Sequence, residues 1–425
     1  MSLDRRDFLK LGVAGIAAGA FPGLAFATSE IIPKKGQRVV IVGGGFGGAT
    51  AAKYIRMWSN NKIDVVLVER KPQFISCPMS NTVLGGSRTI NDLTRSYDTL
   101  KKKYGVKLVQ GEVTAIDTQK QTVMLAQGHL GYDRLIIAPG VDFMFEQIEG
   151  LNAEVAEKSI PHAWKAGAQT VLLRKQLEAM PDGGVCAISI PKAPYRCPPG
   201  PYERACQVAF YLKNNKPKSK VLILDANPDI TSKKGLFTAA WKDLYPGMVE
   251  YRANAMVTKV DVAGKTASTE FEDVKADVLN VIPSMKAGVV ASMAGVVNVD
   301  DRWCAVDFIS YESKAHKKVH VIGDSVSAAL PKSGYMATSQ AKICAAAIIE
   351  LMQGQAPDQA PTIANTCYSM VSDSEAIHVA HMYRFNAEKQ AMIAADGGGV
   401  SAQRSEVEAM LAGHWLENVL NDVLM

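Results

Sequence analysis

The sequence predicts an α/β fold in which two strand–helix–strand units are followed by a C-terminal α+β segment. Three observations predict it. First, an apolar run at 37–42 leads into Gly43-Gly44-Gly45-Phe46-Gly47-Gly48, a helical stretch at 49–58 and a second apolar run at 64–68 closed by Glu69. Second, the same order recurs at 185–190, 202–214 and 220–224, closed by Asp225, but without the glycine turn. Third, 425 residues at 48% hydrophobic and 21% charged describe a folded chain long enough for two or three domains.

The N-terminus comes first in order. Arg5 and Arg6 precede an apolar stretch at 11–26 and the small residues Ala25 and Ala27. This pattern reads as a twin-arginine signal peptide over 1–27, with export to the periplasm. A transmembrane anchor is the alternative, but the run is short, rich in glycine and broken by Pro22. The twin-arginine route carries folded proteins, which points to a cofactor inserted before export. No later stretch is long and apolar enough to span a bilayer, so no integral membrane segment is expected. The net charge of +5 comes without a dense Lys/Arg block, which gives no nucleic-acid signature.

Residues 43–48 fit G-x-G-x-x-G between a strand and a helix, with an acid closing the next strand. Gly43 permits the tight turn, Gly45 admits a pyrophosphate, and Gly48 lets helix and strand pack closely. The free N–H groups at the helix start favour phosphate, and Glu69 suits ribose hydroxyls. Phe46 and Arg70, next to these groups, are counted with the cofactor set. Two later segments separate FAD from NAD. Residues 132–140 read as a strand ending in Ala138-Pro139-Gly140, and residues 319–324 as a strand ending in Gly323-Asp324. Both resemble accessory motifs of two-dinucleotide-domain flavoproteins, whose fold is glutathione-reductase-like with paired Rossmann-like domains. That resemblance gives Asp324 the ribityl chain of FAD. A helix from Gly334 to 352 would aim its N-terminus at the flavin ring. The FAD-binding domain is therefore expected in two pieces, 36–150 and 290–350.

Residues 151–289 read as a degenerate NAD-like domain. Where a glycine turn belongs stands a proline-rich segment, 191–201, which lacks the N–H groups needed to cradle phosphates. A nicotinamide donor is therefore not expected. The segment instead delivers Cys197 close to a helix start, where a thiolate is favoured. Residues 351–425 form the C-terminal interface domain, with Cys367 and an amphipathic stretch at 407–424 that suits packing on the core or a partner.

Cys197-Pro198-Pro199-Gly200-Pro201-Tyr202-Glu203-Arg204-Ala205 and Asn365-Thr366-Cys367-Tyr368-Ser369 are specific. With the FAD motifs, residues 161–167 and Pro331-Lys332-Ser333-Gly334-Tyr335, they resemble the flavoprotein subunit of flavocytochrome c sulfide dehydrogenase. The wider relatives are sulfide:quinone oxidoreductases. The resemblance implies that Cys197 and Cys367 form a redox-active disulfide, and that Cys77 holds FAD through a thioether. It implies an acid–base role for Glu203 and places Lys332, Gly334 and Tyr335 near the cofactor. It also implies a small sulfur substrate and a separate c-type cytochrome subunit, since this chain has no C-x-x-C-H of its own.

Bland readings stand beside these. The two cysteines suit a structural disulfide in an exported protein, and Glu203 suits a helix-end charge. A quinone-reducing enzyme, an NADH-dependent disulfide reductase and an inert flavin carrier are the rival functions. Cys186, Cys206, Cys304 and Cys344 sit in apolar patterns as core residues, as do Trp303 and Trp415. His378 and His381 lack a third ligand and are read as surface or interface residues, so no metal site is expected. In the implied chemistry, hydrosulfide attacks one sulfur of the pair. Which sulfur is attacked does not follow from sequence.

Overall fold

The structure is a computed structural model that describes residues 29–425. The leader expected over 1–27 lies outside the described residues.

The first sheet is parallel and five-stranded. Its central strand, Arg38–Val42, is buried along its whole length. It pairs with Asp64–Glu69 on one side and Arg134–Ile137 on the other. Lys107–Gln110 extends one edge and Val319–Val321 the other. Continuous Val/Ile/Leu runs suit such strands because both faces are covered. Helices Phe46–Trp58 and Gly334–Met352 pack together on this sheet. Residues 319–352 thus return to the domain begun by residues 38–69, across the whole second domain.

The helix at residue 46 begins three residues earlier than the apolar periodicity suggested, inside the glycine turn. Two glycines there have no substitute. Gly43 has φ +102° and a side chain would strike the Ala138 carbonyl. A Cβ on Gly48 would collide with the Gly43 carbonyl oxygen, so it is close packing that demands this glycine. Ser325 Oγ donates to the Gly140 carbonyl at 2.6 Å, tying the two late turns together.

The second sheet, also parallel, has the order Val249–Arg252, Lys220–Asp225, Val185–Ile190, Val278–Val281. Helix Gly200–Asn215 crosses from Val185–Ile190 to Lys220–Asp225, with Pro201 in its first turn. Antiparallel ribbons at 259–275 and at Val141–Phe143 with Met285–Ala287 complete the middle of the chain.

The C-terminal region is a three-stranded antiparallel sheet, Thr362–Met370, Ala376–Asn386 and Ala391–Val400, followed by helix Glu406–Leu424. Ser405 caps that helix by accepting from the Glu408 N–H. Its last carbonyls, of Asn421 and Asp422, accept from Lys53 of the first helix at 3.1 and 3.0 Å. The amphipathic stretch therefore packs on the first domain. Among the described residues, no helix is long and apolar enough to cross a membrane.

Gly48→Ala should lower the stability of the chain by about 2 kcal/mol or more, because backbone rather than a flexible side chain must move. Thermal unfolding of the variant beside the parent measures this.

Candidate active site

A long cavity runs along the ends of the first sheet. It is lined by Gly43, Gly44, Gly45 and Phe46 from the first turn, and by Glu69 and Arg70 from the end of the second strand. Ala138, Pro139, Gly140, Gly323, Asp324, Gly334 and Cys77 line it further along. The sequence-expected cofactor residues thus converge, with three exceptions. Gly48 lies behind the turn, and neither Lys332 nor Tyr335 reaches this cavity. Lys332 turns its ammonium to the carbonyls of Asp324 and Val326 at 2.7 and 2.8 Å, over the Trp303 ring at 3.8 Å. It orders the loop around Asp324 from behind. Tyr335 packs toward Trp415, with ring centroids 6.3 Å apart.

The cavity suits a dinucleotide. A Cβ on Gly45 would meet nothing within 4 Å, so the backbone there is open to a ligand. The helix starting at Phe46 has no side-chain cap, which leaves its first N–H groups for an anion. Glu69 is held in place by the N–H groups of Gly44 at 2.6 Å and Lys71 at 2.9 Å. Asp324 Oδ1 is buried and has no partner within the protein. A buried orphan acceptor is costly unless something donates to it, and ligand hydroxyls would. Burial pushes Asp324 up, against the nearby charges of Arg196 and Lys332.

Three charged residues at the inner end were missed by sequence reasoning: Asp142, Lys165 and Arg196. Lys165 pairs with Asp142 at 2.8 Å. Arg196 contacts the Cys77 side chain. Burial opposes its charge, but Cys77, Asp324 and Cys197 outweigh that and push it up. The only sequence signal was position, since Arg196 directly precedes Cys197 and Lys165 follows Trp164.

Cys197 and Cys367 do not line the cavity itself. Cys197 directly follows Arg196, and both cysteine-bearing segments are held at the turn just before Gly334. Cys197 donates its N–H to the Lys332 carbonyl at 2.7 Å and has φ +60°. Ser333 Oγ donates to Asn365 Oδ1 at 2.6 Å, which fixes the strand carrying Cys367 against the same turn. Asn365 lies within 3.7 Å of Cys367 Sγ. Both sulfurs thus lie beside one turn, and Cys367 adds to the rise of Cys197 electrostatically. All cysteines among the described residues are free thiols. The expectation that a helix start favours a Cys197 thiolate needs correction. Burial comes first and pushes this thiol up; Cys367 and Glu203 add to that, against Arg196 and Lys233.

Glu203 is buried between the two cysteine-bearing elements. Its carboxylate accepts from the Met370 N–H at 3.0 Å and from Asn81 Nδ2 at 3.0 Å. Burial pushes it up despite those bonds and the charges of Lys233 and Arg204. Lys233, also missed from sequence, donates to Ser369 Oγ at 2.8 Å and to the Cys367 carbonyl at 3.4 Å.

In the second domain the acid that closes the second strand is already engaged. Asp225 is fully buried and accepts from Tyr202 at 2.7 Å, Tyr251 at 3.1 Å and Asn227 at 2.7 Å. Cys186, Cys206, Cys304 and Cys344 are buried. Trp303 is buried too, while Trp415 is only partly so and packs on the core. His378 pairs with Glu408 at 2.7 Å. No metal-binding group occurs among the described residues.

Comparison with known proteins agrees with this geometry. Residues 37–174 match the family model described as pyridine nucleotide-disulphide oxidoreductase. Residues 170–283 match the central part of the sulfide dehydrogenase [flavocytochrome c] flavoprotein chain, and 359–424 the flavin-binding part of flavocytochrome c sulphide dehydrogenase. The chain is 57% identical over 47 residues to the flavoprotein chain of sulfide dehydrogenase from Chlorobaculum thiosulfatiphilum, covering 96% of that sequence and 11% of this one. It is 23% identical over 323 residues to the mitochondrial sulfide:quinone oxidoreductase of Dictyostelium discoideum, covering 73% of this chain and 70% of that one. The sulfide:quinone oxidoreductase structure from Aquifex aeolicus aligns with a TM-score of 0.73 at 19% identity over 91% of each chain.

Fold and cavity together define an FAD-binding flavoprotein of the pyridine nucleotide-disulphide oxidoreductase class. Within that class the family models and the Chlorobaculum relative are decisive. The chain belongs to the flavoprotein family of flavocytochrome c sulfide dehydrogenase, whose members oxidise sulfide.

With Cys77 replaced by Ser, so that no thioether holds the flavin, adding Asp324→Ala should weaken FAD retention about tenfold, the cost of one hydrogen bond to a buried charge-bearing group. The flavin-to-protein absorbance ratio through purification and dialysis measures it. Glu203→Ala strips an acceptor from the buried Met370 N–H and Asn81 amide. It should destabilise the fold by about 2–3 kcal/mol, read by denaturant unfolding.

Proposed function

We propose that this chain is the catalytic subunit of an FAD-dependent sulfide dehydrogenase, working through a Cys197–Cys367 redox pair with a c-type cytochrome as electron acceptor. One observation carries the proposal. Cys197 and Cys367, from distant parts of the chain, are both held against the turn at Lys332 and Ser333 behind the cofactor cavity, and Glu203 and Lys233 bond to the strand that carries Cys367.

When bound, FAD supplies a two-electron acceptor that can release electrons singly, as a haem requires. Gly43, Gly44, Gly45, Glu69 and Asp324 would hold it. The protein's own residues do the rest. In the oxidised pair a disulfide presents an electrophilic sulfur to hydrosulfide, a small anionic nucleophile. The buried Lys233 and the half-buried Arg196 and Lys165 favour an anion entering this region. Glu203, its proton affinity raised by burial, influences both cysteines electrostatically, which supports the acid–base role the resemblance implies. Cys77 faces the cavity beside Arg196, which supports its assignment as the covalent anchor of FAD.

The cytochrome partner rests on the family resemblance and on the absence of a haem-attachment motif in this sequence. Periplasmic location by the twin-arginine route rests on the leader at 1–27. The quinone-reducing alternative draws on the Dictyostelium and Aquifex relatives. The NADH-dependent alternative has less support, since Asp225 is spent on tyrosines and residues 191–201 lack a glycine turn.

Anaerobic sulfide should bleach the flavin of the purified protein, and Cys197→Ser or Cys367→Ser should slow this by about a thousandfold or more. Bleaching retained in both variants would sink the redox-pair reading. A cytochrome c that reoxidises the flavin faster than a soluble quinone supports the proposed acceptor, and the reverse order favours the quinone. In Cys77→Ser, the flavin should separate from the denatured chain, where the parent retains it.

A further inference from the structure

Lys233 is a buried ammonium, with 7% of the residue exposed. Among the described residues no carboxylate lies within ion-pair distance of it. Two of its three donors are spent on the neutral Ser369 hydroxyl and the Cys367 carbonyl. A buried cation without a counter-anion is expensive unless the protein or a ligand supplies one. The anion-forming groups that face it are the sulfurs of Cys367 and Cys197, the carboxylate of Glu203, and, more weakly, Glu408. Glu203 already spends its oxygens on Met370 and Asn81. Burial pulls Lys233 down to about 8, and Cys367 is the largest of the charges that hold it up.

The two sulfurs are not equivalent. Lys233 and the Asn365 amide lower the proton affinity of Cys367 against the rise from burial and, more weakly, from Glu203. The Lys233 ammonium bonds the carbonyl of Cys367 itself and the hydroxyl of Ser369 two residues along the strand. Cys197 has only the charges of Arg196 and Lys233 on its side, against Cys367 and Glu203.

We propose that Lys233 is the positioning residue that holds Cys367 as a thiolate, which makes Cys197 the sulfur attacked by substrate. Lys233 acts this way only if the two thiols form the reactive pair proposed above. The step balances without another reactant. Hydrosulfide attacks Cys197 Sγ, and a new S–S bond forms as Cys197–S–SH. The Cys197–Cys367 bond breaks, and its electron pair leaves on Cys367 as a thiolate beside the ammonium. Substrate sulfur is oxidised to the persulfide level and Cys367 is reduced, with no proton exchanged. The thiol with the lower proton affinity leaves faster in such exchange.

The test uses the FAD-loaded full chain, reduced with a phosphine and alkylated with iodoacetamide across a pH series, with each cysteine quantified by peptide mass spectrometry. In the parent, Cys367 should react at lower pH than Cys197. In Lys233→Met, alkylation of Cys367 at about pH 8 should fall about tenfold, as its profile moves up by about one unit. Lys233→Arg should restore most of it, and unchanged flavin content and circular dichroism keep a folding defect apart. An unmoved Cys367 profile in Lys233→Met overturns the proposal. So does a Cys197 that ionises first, or a Cys367 that stays unreactive in the parent. A short anaerobic sulfide pulse before alkylation should leave the added sulfur on Cys197, and finding it on Cys367 also overturns the proposal. Failure of sulfide to bleach the parent flavin sinks the enzyme reading instead, while the alkylation profiles still report on Lys233.

Discussion

The active-site architecture depends on a buried clasp between helix Gly200–Asn215 and strand Thr362–Met370. Glu203 takes the Met370 N–H, and Gln207 donates to the carbonyls of Met370 and Ser372 at 3.1 and 2.8 Å. Tyr245 holds the next carbonyl, of Val371, at 2.6 Å. At its other end the strand is pinned to the long helix of the first domain through Ser333–Asn365 and Ser339–Ala364. The strand that carries Cys367 is thus fixed to both dinucleotide-type domains at once. These bonds are buried, so each unmade one would leave an uncompensated polar group. That is a steep restoring force for a segment with few apolar anchors of its own.

A second constraint is electrostatic. The inner wall of the flavin cavity and the region behind it concentrate ionisable groups where water is scarce: Arg196, Arg204, Glu203, Lys233, Lys332 and Asp324. Arg204 shows how the protein satisfies one of them. Its guanidinium bonds Asn81, Asn280 and the carbonyls of His162 and Ala163, and it lies over the Trp164 ring at 4.7 Å. Lys332 is treated the same way. Asp324 and Lys233 are not, and both face the places where a ligand or a sulfur anion would stand. Burial raises every thiol and carboxyl here, so the distribution of cations decides which sulfur carries charge. This explains why proximity to a helix start did not suffice for Cys197.

The middle domain keeps the parallel sheet of its class while its ligand-facing end has been filled. Tyr202, in the first turn of the helix, reaches the acid that closes the neighbouring strand, and the proline-rich segment folds over that end. The scaffold survives because its Val, Ile and Leu strands are buried on both faces regardless of what the turn binds. Fold and site are separable here, as they are generally in this class of proteins.

Local features were legible in the sequence. The first glycine turn, its closing acid and the strands around them follow from backbone sterics and short-range periodicity, which act within a few residues. The chemical identity of the cysteines, and the missing second glycine turn, were equally plain. Tertiary structure alone decided which charges meet those cysteines. Lys233 lies on a turn with no motif of its own, and Arg196, Lys165 and Asp142 converge from three segments. It also decided that Lys332 and Tyr335 turn away from the cavity, and that burial rather than the helix end governs Cys197. The physical reason is range. Strand and turn preferences are set by neighbours in sequence, whereas the field at a buried sulfur sums over groups brought together only by packing.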